Sequence, residues 1–570
     1  MEYRWENIPT PDKAALAKLS KELNLSPTLA QLLVQRGITT FAEARAYFRP
    51  HLDDLHSPWL MQDMEAAVKR IQYAHEQGEK VMIYGDYDVD GTTSVALMAS
   101  FFKDNYKQFI SYIPDRYREG YGVSRAGIEH AQQEGCTLII ALDCGIKAQE
   151  QVAYAKSKGI DFIICDHHLP GDDLPAAVAV LDPKRADCAY PFKELSGCGV
   201  GFKLVQALCE HWQLPASHWS GLLDLLAVSI GADIVPITGE NRILAFHGLQ
   251  KLNKNPRPGL ALLMEVSGKK VEQWTINDVV FQIGPRINAA GRLAHGKLAV
   301  ELLTSPQAEH REKLAGLVDE HNQNRRQLDK NITQEALRQI QQEDTPGRTT
   351  TVVCSKEWHK GVIGIVASRL TESHYRPTIV FTERENTLTG SARSIKGFNI
   401  YEALLECKEY LGQFGGHAFA AGMSLPKERY PAFKEHFEKV VARRIRPEQL
   451  RPSLDVDAEL PWGDVNGKFY RVLKQMEPFG PQNMNPVFVT HGLLDTGQSR
   501  AVGNDGKHLR VQLRCPKSNI GMQGIGFNLQ PKLELLQTGK PVSVAYHLEM
   551  NTFRDQKNLE LRVLDVKATV

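Results

Sequence analysis

Five short apolar runs recur in the first half of the chain: VMIY at Val81, QFISYI at Gln108, TLIIAL at Thr137, DFIIC at Asp161 and AAVAVL at Ala176. Helical patterns separate several of them. This alternation is the mark of βαβ units, and strands so uniformly apolar belong to a largely parallel sheet buried on both faces. Polar residues cluster immediately after the runs, and in an open α/β sheet that carboxyl edge is where ligands bind. The rest of the chain must be arranged around such a sheet. With 570 residues and domains of about 100–200 residues each, three or four domains are expected.

The remaining pattern divides the chain. Residues 1–79 carry leucines and alanines at helical spacing and read as an N-terminal helical region packed on the core. The first α/β unit spans 80–304. Residues 305–345 are polar with a thin apolar stripe at Leu314, Val318, Leu328, Ile332 and Ile340, which reads as a long connecting helix stopped by Pro346-Gly347. A second α/β unit covers 346–448. From 449 to 570 short strands such as PVFVTHGLL, HLRVQLRC and VSVAYHLEM suggest a small β-barrel. The fold class is therefore α/β multidomain, two α/β units joined by a long helix and followed by a barrel.

Composition excludes some classes of function. Nine cysteines without a Cys-x-x-Cys pair argue against a disulfide framework or a thiolate zinc site. No uninterrupted apolar stretch is long enough to span a bilayer, and the N-terminus lacks the basic and apolar regions of a signal peptide, so a reduced, cytoplasmic protein with no membrane contact is expected. The net charge is +1, so a nucleic-acid partner must be attracted by locally gathered basic residues.

VMIY runs directly into Gly85-Asp86-Tyr87-Asp88-Val89-Asp90-Gly91. Three aspartates in five residues repel one another unless a cation neutralises them. One aspartate would suffice to cap the following helix. Asp143 follows TLIIAL, Asp166-His167-His168 follows DFIIC, and Asp233 ends the apolar segment LLAVSIGAD. All can converge on one sheet edge. Several carboxylates with histidine and no thiolate suit Mn²⁺ or Mg²⁺. They exceed the needs of one ion, so two are inferred, the arrangement that clamps both oxygens of a phosphoryl displacement.

In this order the four segments resemble the motifs of the DHH phosphoesterase superfamily. The resemblance implies Asp88, Asp90, Asp143, His167 and Asp233 as ligands, with Asp143 bridging. Asp86 either joins them or, like Asp166, orients them, and His168 contacts the scissile phosphate or assists proton transfer. Gly415-Gly416-His417-Ala418-Phe419-Ala420-Ala421-Gly422 resembles the signature of the DHHA1 domain, with His359, Ser391 and Arg393 nearby as anion donors. Together with the long helix, the segment Gly284-Pro285-Arg286-Ile287-Asn288-Ala289-Ala290-Gly291-Arg292 and the barrel, the order of parts resembles the RecJ nucleases over almost the whole length.

That resemblance implies a 5′→3′ exonuclease on single-stranded DNA, releasing nucleoside 5′-monophosphates and acting in recombination and repair. It implies a helicase and a single-strand DNA-binding protein as partners, and a monomer is expected. Arg286, assigned with His168 and Asp166 to the catalytic group, would line the strand's path with Asn288 and Arg292. Arg116, Arg118 and Tyr121 would hold the 5′ end or its neighbours, and Gly416 and His417 would approach phosphate. The barrel resembles an OB-fold, with Arg500, Lys507, His508, Arg510 and Arg514 for charge and Phe488 and Phe527 as stacking platforms. Two rivals stay open: a phosphodiesterase of short oligonucleotides or cyclic dinucleotides, and a non-catalytic DNA-binding scaffold.

Overall fold

The apolar runs become strands β1 (Lys80–Gly85), β2 (Phe109–Tyr112), β3 (Cys136–Leu142), β4 (Asp161–Cys165) and β5 (Ala179–Leu181). They form one parallel sheet in the order β2-β1-β3-β4-β5. Alternate side chains enter two cores. Val81, Ile83, Leu138, Ile140 and Ile163 face one, and Met82, Tyr84, Ile139, Ala141 and Phe162 the other. Burial on both faces explains why these runs show no polar alternation. The computed structural model describes residues 2–10, 12–343, 347–518, 520–553 and 556–569.

The chain divides into two compact units, Leu52–Pro452 and a second made of Met1–His51 with Ser453–Val570. In the first, helix α1 (Met64–Gln77) packs on the core of the parallel sheet through Met64, Val68 and Ile71. Helices α2 (Val89–Asn105), α3 (Gly197–His211) and α4 (Leu223–Ala232) share that core. The apolar segment before Asp233 is thus a helix and not a strand. Its residues 223–231 are buried all round, so no apolar stripe marks it as helical. A π-helical stretch, Val279–Ile283, leads into α5 (Gly284–Leu293).

Helix α6 (Ala308–Glu343) runs 36 residues. Leu314, Val318, Ile332 and Ile340 are buried as the stripe requires, with Leu328 partly so. The stripe is interrupted by Asn322, Arg325 and Asp329, which are also buried. The Pro346 stop lies outside the described residues. The second sheet has the order β9-β10-β8-β7-β6 and is mixed, built from β6 (Thr351–Ser355), β7 (Thr378–Arg384), β8 (Thr387–Arg393), β9 (Gln413–His417) and β10 (Ala420–Pro426). Helix α7 (Ile363–His374) packs on it.

In the other unit, seven strands form a sheet whose order runs from Ala458–Glu459 to Arg500–Val502, and pairing of Phe488–Asp495 with His508–Arg514 closes it into a ring. Phe488, Leu509, Val511, Tyr546 and Leu561 fill its core. Leu29, Leu32 and Leu33 belong to that same core, and Arg4–Asn7 pairs in parallel with Ser453–Val456. The first 51 residues therefore complete the terminal unit, and only the segment from Leu52 onward packs on the parallel sheet. Helical spacing shows which face is apolar; it does not name the element that covers it.

Leu33 is fully buried in this mixed core. Leu33→Ala should cost about 2–5 kcal/mol of stability. Hydrogen exchange should show the loosening in strands 488–495 and 542–553, with β1 to β5 still protected; loosening in β1 to β5 instead would contradict this packing.

Candidate metal centre and anion-binding cleft

Register brings the strand ends into one row. Gly85 pairs with Leu142, Leu142 with Cys165, and Cys165 with Leu181. The next residues are Asp86, Asp143, Asp166 and Asp182. Their backbones continue the row, the Asp143 N–H donating to Cys165 O at 2.8 Å and the Asp166 N–H to Leu181 O at 3.0 Å. Asp182 was not among the residues singled out from sequence. An aspartate directly follows AAVAVL, as one follows TLIIAL and DFIIC, but Asp-Pro reads first as a turn.

Two glycines allow acids to sit this close. A Cβ on Gly91 would stand 2.5 Å from the Asp86 carbonyl oxygen, and one on Gly197 2.5 Å from Asp143 Oδ1. Asp143 itself holds a left-handed backbone, φ 61°, which is strained for a residue with a Cβ. Asp88 caps α2, its carboxylate accepting from the Gly91 N–H at 3.0 Å. Asp90 accepts from the Gly197 N–H at 2.7 Å, the Cys198 N–H at 2.9 Å and Ser229 Oγ at 2.7 Å. Asp233 is the residue at the C-terminal end of α4.

The acids differ in how far protein donors satisfy them. Asp166 accepts four hydrogen bonds: from the N–H groups of Ile146, His167 and His168 at 2.9, 2.8 and 3.2 Å, and from His168 Nδ1 at 2.7 Å. It is saturated. By contrast, neither oxygen of Asp86, nor Asp143 Oδ1, nor either ring nitrogen of His167 makes a hydrogen bond of good geometry, although all are buried. His167 Nε2 lies 3.2 Å from Asp143, 3.6 Å from Asp233 and 3.8 Å from Asp90. Buried polar atoms are nearly always paired. Carboxylate oxygens and an imidazole nitrogen aimed at a common space fit a hard or borderline divalent cation. Asp143, His167 and His168 form one such group, and Asp90, His167 and Asp233 another.

Electrostatics agree. Burial, then repulsion from Asp88, pushes Asp86 up to about 8. Burial and Asp90 do the same to Asp233. Asp88 and Asp143 are raised by burial and by Asp90 beside them. Burial lowers His167, which keeps its imidazole neutral and able to ligate. His168 behaves oppositely. Burial opposes its charge, but the hydrogen bond and charge of Asp166, helped by Asp233 and Asp90, raise it to about 9. Its Nε2 lies 3.2 Å from the Tyr121 hydroxyl. Asp182, raised to about 7 chiefly by burial, accepts from the Lys184 N–H at 2.7 Å and leaves Oδ2 buried without a partner.

The loop after β2, helix α5 and the second α/β region together contribute cations. The Tyr117 hydroxyl donates to Arg292 O at 2.6 Å, and Arg292 Nη1 donates to Gly361 O at 3.0 Å. The Tyr117 and His359 rings meet edge to face. Arg116 lies over the Tyr87 ring at 4.7 Å. Burial and the charges of Arg116, Arg325 and Arg393 push the Arg292 guanidinium down to about 10. Arg393 Nη1 donates to Ser391 Oγ at 3.0 Å, and a Cβ on Gly364 would stand 3.1 Å from each side chain. Guanidinium groups crowded this way favour an anion between them.

Other candidates lie elsewhere. Arg286 is not at the cluster: it is buried, with Nε donating to Asp319 at 2.8 Å and Nη1 to Gln282 O at 2.7 Å, so it ties α5 to α6. Asn288 is half-buried on α5, while Gly416 and His417 are exposed on β9. Lys507 and Arg510 belong to the other unit, where Lys507 pairs with Asp505 and Arg510 donates to Gln523. Phe488 is fully buried core and offers no stacking face. Phe527 is exposed, with Arg562 3.9 Å over its ring and His508 beside it.

The raised carboxyls set a sign for pH dependence. Asp86 and Asp233 bind protons more tightly in the folded protein, about 8 against 3.8. Their contribution to stability is therefore full below about pH 4 and is lost as pH rises through about 8. A cation that replaces those protons reverses the loss. Mg²⁺ should raise the melting temperature more at about pH 8 than at about pH 6, measured by differential scanning fluorimetry; an equal shift at both would contradict these protonation states.

Comparison with known proteins places these features. The DHH family N-terminal domain matches residues 80–230, the DHHA1 domain 347–443 and the RecJ OB domain 456–565. The chain is 37% identical over 565 residues to the single-stranded-DNA-specific exonuclease RecJ of Bacillus subtilis, covering 99% of this chain and 70% of that protein. The crystal structure of RecJ in complex with Mn²⁺ from Thermus thermophilus superposes with a TM-score of 0.83 at 27% identity, over 100% of this chain and 80% of that one. The complex with Mg²⁺ from the same organism gives a TM-score of 0.79 at 26% identity, over 100% of this chain and 79% of that one. The chain belongs to the RecJ family of single-stranded-DNA-specific exonucleases.

Proposed function

We propose that this protein is a metal-dependent exonuclease that degrades single-stranded DNA from the 5′ end and releases nucleoside 5′-monophosphates. The observation that carries the reading is the cluster of buried acids, with unsatisfied oxygens on Asp86 and Asp143, together with the crowded guanidinium groups around Arg292. Asp86, Asp88, Asp90, Asp143, His167 and Asp233 would hold the ions. When bound, two divalent ions, Mn²⁺ or Mg²⁺, supply an activated water and neutralise charge on the phosphate.

The chain's own groups position the reaction. Asp90 is fixed by three donors, so its carboxylate does not swing. Asp166 is saturated and acts through His168, keeping that ring cationic and turned by its Nδ1 bond. His168 Nε2–H, which faces Tyr121 in the free protein, is the donor offered to the scissile phosphate. Arg116, Arg292, Ser391, Arg393 and His359 receive the 5′-phosphate, with Asn288, Gly416 and His417 along the path. In-line attack breaks the terminal P–O3′ bond. The water oxygen stays on the new 5′-phosphate, and the 3′ oxygen departs with a proton.

The terminal unit carries its own contacts for a single strand. Lys507 and Arg510 meet phosphates, and Phe527 offers a face to a base. In this reading the protein is a cytoplasmic monomer serving recombination and repair. It acts on strands exposed by a helicase and coated by a single-strand DNA-binding protein.

Asp143→Ala should abolish Mn²⁺-dependent nucleotide release by at least about a thousandfold while single-strand binding persists; unchanged release would refute the site. Arg393→Ala should raise KM about tenfold or more on a 5′-phosphorylated strand, the worth of a charge-assisted hydrogen bond. A strand with a 5′-hydroxyl should respond less. Faster turnover of dinucleotides than of long strands by the wild type would instead favour a small-substrate phosphodiesterase.

A further inference from the structure

Among the described residues, Ile234 is the only β-branched residue with a left-handed backbone, φ 59°. It directly follows Asp233, the residue at the end of α4, and so occupies the position after a helix where glycine is favoured. A branched side chain there is a conformational outlier. Glycine would make the same turn without that strain. Nor does the core use the side chain. Val235 and Ile237 turn inward and are buried, while Ile234 is 64% exposed.

Its position is informative. Asp233 Oδ2 is 3.6 Å from His167 Nε2, so the Ile234 backbone adjoins the acid cluster. Leu169, 67% exposed, likewise directly follows a residue of the cluster, His168. The π-helical stretch that packs on α4, with Val279 against Gly231, carries Phe281, also exposed. Strain, exposure and π-helical irregularity gather around the end of α4, whose last acid joins the cluster.

We infer that Ile234 is a substrate-contacting residue, its apolar side chain packing against the face of a nucleobase next to the scissile linkage. Phosphates are met by acids, cations and His168, which leaves the base as the broad apolar surface within one nucleotide. An aliphatic contact to a base face reads no sequence, as an exonuclease that accepts every base requires. The inference rests on the single-strand exonuclease reading.

The test pairs a protein change with a substrate change. KM and kcat are measured with Mn²⁺ for wild type, Ile234→Gly and Ile234→Val, on 5′-phosphorylated strands. One strand is intact, and two others carry an abasic residue at the first or second nucleotide. Ile234→Gly should keep or raise the melting temperature and raise KM about tenfold on the intact strand, with Ile234→Val close to wild type. On one abasic strand that penalty should vanish, because the base it came from is already gone. Equal penalties on all three strands, or no penalty on the intact strand, would overturn the inference. A wild type that fails to degrade the intact strand would instead overturn the exonuclease reading.

Discussion

Like charges held together in a largely buried cluster are the constraint on which this structure depends. A parallel sheet with in-register strand ends sets one aspartate beside the next, and Asp90, Asp88 and Asp233 approach from helix ends. Left alone, such a cluster opposes folding, and burial drives protons onto Asp86 and Asp233. The surrounding residues divide the burden. Asp166 is saturated by protein donors and serves as a rigid support, while three donors orient Asp90 where it meets His167 and Asp233. Asp86, Asp143 and His167 are left with buried, unpaired atoms, which a divalent cation would satisfy. The same division separates holding residues from those that would ligate.

The cationic wall is positioned by fewer bonds. Tyr117, from the loop after β2, reaches the carbonyl of Arg292, and Arg292 reaches the carbonyl of Gly361 in the second α/β region. These two bonds connect three segments far apart in sequence. The buried Arg286–Asp319 pair fixes α5, which carries Arg292, onto the long helix. Removing one partner of such a pair leaves a buried charge and costs about 3–5 kcal/mol. Arg286 thus bears on the cleft through the placement of α5, without facing it.

Much of this was legible in the sequence, for a physical reason. Strand ends and the acids after them are local features, so Asp86, Asp143 and Asp166-His167-His168 could be placed on one edge before any coordinates. The parts that were not legible depend on tertiary partners. Arg286 and Arg292 are both arginines in one short segment, and only packing decides that one meets Asp319 and the other Gly361. Phe488 fits a stacking platform or a core residue equally until its burial is known. The N-terminal helices displayed an apolar face without naming its cover, which proved to be the terminal unit. Asp182 was not singled out from the sequence, although register puts it in the row.

A two-ion centre at these acids follows from the proposed function. It is tested most directly by anomalous diffraction from crystals of the protein grown with Mn²⁺. Two peaks should appear within ligating distance of Asp86, Asp88, Asp90, Asp143, His167 and Asp233, with Asp143 touching both and Asp166 touching neither. Density for a single ion would contradict the two-ion centre, and the absence of manganese from this edge would contradict the metal site altogether.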